Sequence, residues 1–136
     1  MVSPRTYLKQ LAGEWKGSGT VTLQGQALPL KARWKNELVA ASYGLRCEVR
    51  MIGYPGTEEF IEVSQIGYDD YEQQFHMGTL CIFGETHDLR GDWQGDQLLV
   101  KDDRMSFAVC VVSPEQLKVH VVNASGGPVF DIDFEK

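Results

Sequence analysis

The sequence predicts an all-β fold: one domain over residues 1–136, a single up-and-down antiparallel β-barrel of about ten strands with a short N-terminal helix. Two observations predict it. Apolar and polar residues alternate at period two through nearly the whole chain, the pattern of strands with one buried and one wet face. Short clusters of Gly, Pro, Asn, Asp and Ser separate these segments, and connections this short force sequential strands to pair antiparallel. An open meander of that length would leave two exposed edges, which closure removes. A two-sheet sandwich would also alternate, but it needs long crossovers that this chain lacks.

Ser3 as N-cap and Pro4 in the first helical position predict a helix from Pro4 to Leu11, with Tyr7, Leu8 and Leu11 on one face and Gly13 ending it. Strands are expected over 14–23, 28–39, 42–52, 59–68, 74–83, 85–93, 97–101, 104–112, 116–123 and 128–134. The second puts Leu28, Leu30, Ala32 and Trp34 on one face and Lys31, Arg33 and Lys35 on the other. The third separates Tyr43, Leu45, Cys47, Val49 and Met51 from Arg46, Glu48 and Arg50. Gly53-Tyr54-Pro55-Gly56, Asp69 to Glu72, Gln94-Gly95-Asp96, Asp102-Asp103, Ser113-Pro114-Glu115 and Ala124 to Gly127 read as turns by composition.

The 136 residues suffice for a packed core, and 43% hydrophobic with 24% charged is the balance of a soluble globular chain. A net charge of −6 and a pI near 5.0 disfavour phosphate backbones and anionic lipid, so neither nucleic acid nor membrane is an expected partner. Arg33, Lys35, Arg46 and Arg50 are dispersed along wet strand faces and do not form a stripe. Three cysteines, Cys47, Cys81 and Cys110, lie inside apolar strands without ligand spacing, which argues against a disulfide framework and against a metal site. Free thiols, no apolar leader in residues 1–7 and no apolar run of membrane-spanning length lead to a cytoplasmic expectation. No cofactor is expected.

The segment from Leu11 to Gly19 contains Gly13-x-Trp15-x-Gly17-x-Gly19, in which Trp15 would plug one end of a barrel and the glycines would let the strand bend. Downstream stand Gly67-Tyr68-Asp69, then Phe75 and Gly78, then Thr86, His87 and Gly91. In these motifs the chain resembles the calycin superfamily of lipocalin-like barrels. It is most similar to an uncharacterised bacterial calycin-like family and more distantly to nitrobindin-type haem-binding barrels. The resemblance spans about Leu11 to Gly91. It implies a barrel with an interior, but brings no agreed activity. The nitrobindin type holds haem through a histidine near the chain end; here 128–136 contains none, leaving only His120, one strand earlier, as a substitute.

Interior bulk is expected from Trp34, Tyr43, Phe60, Phe75 and Phe107, with Phe83, Trp93, Phe130 and Phe134, and from the adaptable Met51, Met77 and Met105. Among polar groups, His76 is read as a structural or exposed histidine or else as an inward handle in a pocket, and His120 beside Lys118 as solvated. His87 followed by Asp88 makes a poor pair, because neighbours on a strand point apart. Glu62 and Ser64 share the face of Phe60 and Ile66, so unbroken alternation buries a carboxylate, whereas a bulge would turn Ile61 and Val63 inward instead. The ligand-binding candidates are thus Trp34, Tyr43, Phe60, Glu62, Phe75, His76, Met77 and Phe107. The expected function is binding of a small hydrophobic or aromatic molecule inside the barrel. The alternative is a cyclase, isomerase or lyase of small molecules, which would need an interior ionisable group with a shifted titration. A structural barrel forming a homodimer would instead show a filled lumen and a large apolar outer patch.

Overall fold

A computed structural model describes residues 3–136, apart from the side chain of Pro128. Met1 and Val2, which open the segment read for a leader, lie outside the described residues. Helix α1 (Pro4–Leu11) is followed by β1 (Gly13–Leu23), β2 (Gln26–Val39), β3 (Gly44–Ile52), β4 (Phe60–Asp69) and β5 (Gln74–Cys81). Then come β6 (Thr86–Gln94), β7 (Gln97–Lys101), β8 (Met105–Ser113), β9 (Gln116–Asn123) and β10 (Pro128–Glu135). Each strand pairs antiparallel with its neighbours in sequence, and β1 pairs with β10 to close the barrel. No helix among the described residues is long and apolar enough to cross a membrane.

Closure depends on small residues in β1. Gly17 lies opposite Phe134 and Gly19 opposite Ile132. A Cβ on Gly19 would collide with the Asp131 carbonyl oxygen, and one on Gly17 would come within 2.6 Å of the Asp133 carbonyl and the Phe134 ring. These glycines let two backbones approach at the seam, a tighter demand than the bending expected of them.

Because strand polarity alternates, the nine strand connections divide between the two ends of the barrel, five at one and four at the other. The helix covers the end that holds the β2–β3 and β4–β5 connections. Ser3 caps the helix, its Oγ accepting from the Thr6 amide at 3.4 Å, and Pro4 occupies the first turn, where no amide donor is needed. The last turn leaves an unpaired carbonyl at Leu11. Two buried side chains from the barrel donate to it, Trp15 Nε1 at 3.0 Å and Asn36 Nδ2 at 2.8 Å. Leu8, Leu11 and Trp15 are almost wholly buried, and Tyr7 stacks on Trp93 with ring centroids 4.7 Å apart. One end of the barrel is therefore plugged.

Of the strand boundaries that depart from the expectation, two displace residues expected in the interior. The β2–β3 connection is Ala40–Ser42 with φ of 51°, 54° and 72°, so β3 begins at Gly44 and not at Ser42. Three consecutive non-glycine residues in the left-handed region leave no alternation to count through. Tyr43 therefore falls outside the strand and is half exposed beneath the Arg5 guanidinium. Likewise β5 ends at Cys81, and Phe83 sits in the turn to β6, half exposed.

Candidate functional site

The end opposite the helix is open, and a cavity of about 420 Å³ descends from it into the barrel. Its floor is Trp34, whose ring lies 5.5 Å from that of Phe134 and 6.3 Å from that of Phe107. Met51, Met77 and Leu89 continue the walls. At the mouth the β3–β4 loop brings Tyr54 over Phe60 (centroids 5.0 Å), and Phe83 and Phe130 close an aromatic rim around them. Ring edges and faces at these distances attract beyond simple burial, so the rim is a formed surface.

Polar groups interrupt this apolar lining on β4, β5 and β6. The registers Ser64↔Thr79 and Thr79↔His87 place three polar residues in a row across the strands, and Glu62 stands opposite Cys81 one step nearer the mouth. There is no bulge between β3 and β4, so Phe60, Glu62, Ser64 and Ile66 all face inward and Val63 faces out. Unbroken alternation is the outcome at Glu62. Loss of hydration pushes its carboxyl above the ordinary glutamate value; His87, two strands along the same wall, pulls it back in part, and Glu85 at the mouth adds to the rise.

His87 is nearly buried, and its Nδ1 lies 2.9 Å from Asp102 Oδ2. Asp102 precedes β8 in the connection from β7, where its Oδ1 accepts the amides of Arg104 (2.8 Å) and Met105 (2.9 Å). Burial works to raise the Asp102 carboxyl, but the bond from His87 and the two amides outweigh it and hold it below the usual aspartate value. Arg104 also lines the mouth, with Nη2 donating to the Thr86 carbonyl at 2.7 Å. Deeper in, burial pushes the Cys47 thiol up to about 12, against a smaller lowering by Ser64, so it is an inert thiol.

Of the residues expected from sequence, Trp34, Phe60, Glu62, Met77 and Phe107 line the cavity. Phe75 points inward but lies at the plugged end, 5.0 Å from Tyr68 and 6.4 Å from Trp93. Tyr43 and His76 do not line this cavity. Tyr43 precedes β3, and His76 lies on the outer face of β5, because Phe75, Met77, Thr79 and Cys81 take the inward positions. His76 Nε2 is 3.3 Å from Glu72 on that outer surface. Asp69, Glu72 and His76 could converge on a cation, but Arg90 already pairs with Glu72 at 3.1 Å. His120 also faces out, 3.2 Å from Asp131, and Glu62 and Glu85 line the lumen where a porphyrin's own carboxylates would be repelled. The residues present do not fit haem held as in the nitrobindin type.

The His87–Asp102 pair is not among the sequence expectations. Alternation over Thr86 to Arg90 does place His87 and Leu89 inward. Its partner comes from a turn, where composition predicts only a change of direction.

No protein-family model matches the chain, and no curated protein matches it. Among solved structures it is similar to a redesigned β-barrel, mFAP0, bound to DFHBI, at 9% identity and a TM-score of 0.59, covering 93% of this chain and 99% of that one. It is similar to a de novo designed fluorescence-activating β-barrel, at 11% identity and a TM-score of 0.57, covering 100% of this chain and 99% of that one. A third is the S-type phycobiliprotein lyase CPES from Guillardia theta, at 13% identity and a TM-score of 0.55, covering 98% of this chain and 90% of that one. Likeness at such low identity establishes the shared barrel fold.

Proposed function

We propose that this chain is a calycin-like binding barrel that takes up a small, largely aromatic molecule through its open end. The observation that carries the reading is the cavity itself: about 420 Å³, walled by aromatic and methionine side chains, with most of its polar groups on β4 to β6 and in the turn between β5 and β6. Small-molecule sites are usually concave, mostly apolar and of roughly 300–1,000 Å³, with a few placed polar groups for orientation. Burial in such a lumen contributes on the order of 25 cal/mol per Å² of apolar surface. The barrels it resembles include one described with DFHBI bound and one described as a phycobiliprotein lyase, which supports a small-molecule ligand in general.

Carboxyl groups outnumber cations in the lining, with Glu62 and Glu85 against Arg104. A neutral or cationic aromatic body should enter more readily than an anionic one. The matched probes are N-phenyl-1-naphthylamine and its sulfonate, 1-anilinonaphthalene-8-sulfonate. The neutral dye should gain fluorescence on titration with folded protein, and the sulfonate should bind at least about tenfold more weakly, a difference of about 1.4 kcal/mol. Val121→Trp, which fills the lumen from β9, should abolish uptake while the strand spectrum persists. Wild-type protein that leaves the neutral dye dark would rule out the binding reading.

A further inference from the structure

We infer that the open half of the lumen is a proton-transfer site, where His87 and the Glu62 carboxyl act on a neutral carbonyl compound, an aromatic ketone or an unconjugated cyclic enone. The inference rests on the ligand-binding reading above and adds a reaction to it. Its ground is geometric. An ionised Asp102 can only accept hydrogen bonds, so in the neutral ring the 2.9 Å contact puts the imidazole proton on Nδ1 and the lone pair on Nε2. The Arg104 and Met105 amides fix Asp102 in turn, so the ring is held in one orientation in a residue that lines the cavity. Nε2 has no hydrogen-bond partner among the described residues. A binding wall has no need of an imidazole oriented by a buried carboxylate; a general base does.

Glu62 supplies the complementary acid. It stands on β4, two strands from His87 with only β5 between them and two residues nearer the mouth; at about 4.8 Å per strand and about 3.4 Å per residue their backbones lie about 12 Å apart. Both side chains line the one cavity, so a ketone held between them can meet the imidazole at its α-carbon and the carboxyl at the neighbouring carbonyl oxygen. The Glu62 side chain makes no hydrogen bond among the described residues, and its desolvation favours the protonated form, which is the form that donates. The other charged groups around the pair are Glu85 and Arg104 in the lining and Asp102 behind His87, so an anionic substrate meets more carboxylates than cations. Neutral ketones do not meet that opposition.

The step balances without a co-reactant. The Nε2 lone pair takes the proton of the α-carbon, the C–H electrons become the carbon–carbon double bond of an enol, and the carbonyl π pair takes the proton of the Glu62 carboxyl. Imidazolium and carboxylate are left facing each other. Return of the imidazolium proton to the α-carbon, or to the γ-carbon of an enone, with recovery of the enol proton by Glu62, restores both groups. The net reaction is α-proton exchange or conjugation of the enone.

The probe is 2-tetralone, a neutral two-ring ketone, and two measurements keep binding and chemistry apart. Displacement of N-phenyl-1-naphthylamine reports occupancy, and loss of the α-proton signals in D₂O reports exchange. The expected result is displacement together with exchange well above the buffer rate. Glu62→Gln and His87→Gln should each lower that exchange about 100-fold with displacement retained. Asp102 acts through His87 as a positioning residue; Asp102→Asn should lower the exchange rate while leaving half-maximal displacement unchanged. Displacement with exchange at the buffer rate would overturn the proton-transfer site and leave the binding barrel standing. Dye uptake without displacement by 2-tetralone would overturn the ketone assignment. A protein that binds neither probe would lose both readings.

Discussion

The two ends of this barrel are made from the same ten strands, yet one is solid and the other hollow. At the plugged end a helix of two turns brings Leu8 and Leu11 onto the barrel, and two barrel side chains, Trp15 and Asn36, donate to the helix's last carbonyl. At the open end no helix intervenes, and the inward positions of β4 to β6 carry Glu62, Ser64, Thr79 and His87. The difference teaches that alternation decides which residues face inward, whereas the helix decides which inward residues become core and which become a site. Below Trp34 the interior is packed, and above it lies the cavity.

Three substitutions test that division. Trp15→Ala removes a ring that is 1% exposed together with its hydrogen bond to Leu11, and should cost about 3–5 kcal/mol in urea unfolding. A cost below about 1 kcal/mol would erase the contrast between the ends. Glu62→Gln, at the open end, should raise the melting temperature at neutral pH. Glu62 has a folded-state pKa above its unfolded value, so the folded chain holds its proton more tightly between the two. Its contribution to stability is thus present in acid and is lost as pH rises through the folded value. The gain from the substitution should therefore vanish below the ordinary glutamate range; a gain independent of pH would point to packing instead. The smallest effect is expected for Thr79→Val. The Thr79 Oγ1 is buried without a partner among the described residues, so replacing the hydroxyl with a methyl should be neutral or stabilising by less than about 1 kcal/mol. A clear loss would reveal a bound water bridging Thr79 to its neighbours in the row.

Much of the barrel is legible in the chain because period-two alternation is a direct imprint of burial. Spacing alone assigns Leu30, Ala32 and Trp34 inward, and so they stand. Glu62 is recognisable as anomalous for the same reason: a carboxylate on an apolar face breaks the pattern. Legibility fails where the chain leaves the strand. Tyr43 follows a left-handed turn that composition does not announce, since Ala40-Ala41-Ser42 contains no glycine. Asp102 reads as a turn residue, and nothing local says that a turn at the β7–β8 connection reaches a histidine on β6. Tertiary proximity across a barrel depends on register, and register is fixed by all the hairpins together. His76 misleads because a histidine invites attention wherever it falls, although its own alternation with Phe75 and Met77 places it outside.

The seam at Gly17 and Gly19 has a consequence for how the protein reaches this state. Nine of the ten strand pairings are local hairpins, but β1 waits for β10, the most distant partner in the chain. Until that meeting, a collapsing polypeptide carries two unsatisfied edges, and long-range β pairing is the slow event in such topologies. A bulkier side chain at Gly19 would therefore act first on kinetics, prolonging the interval in which the open ribbon can pair with another molecule instead of with itself.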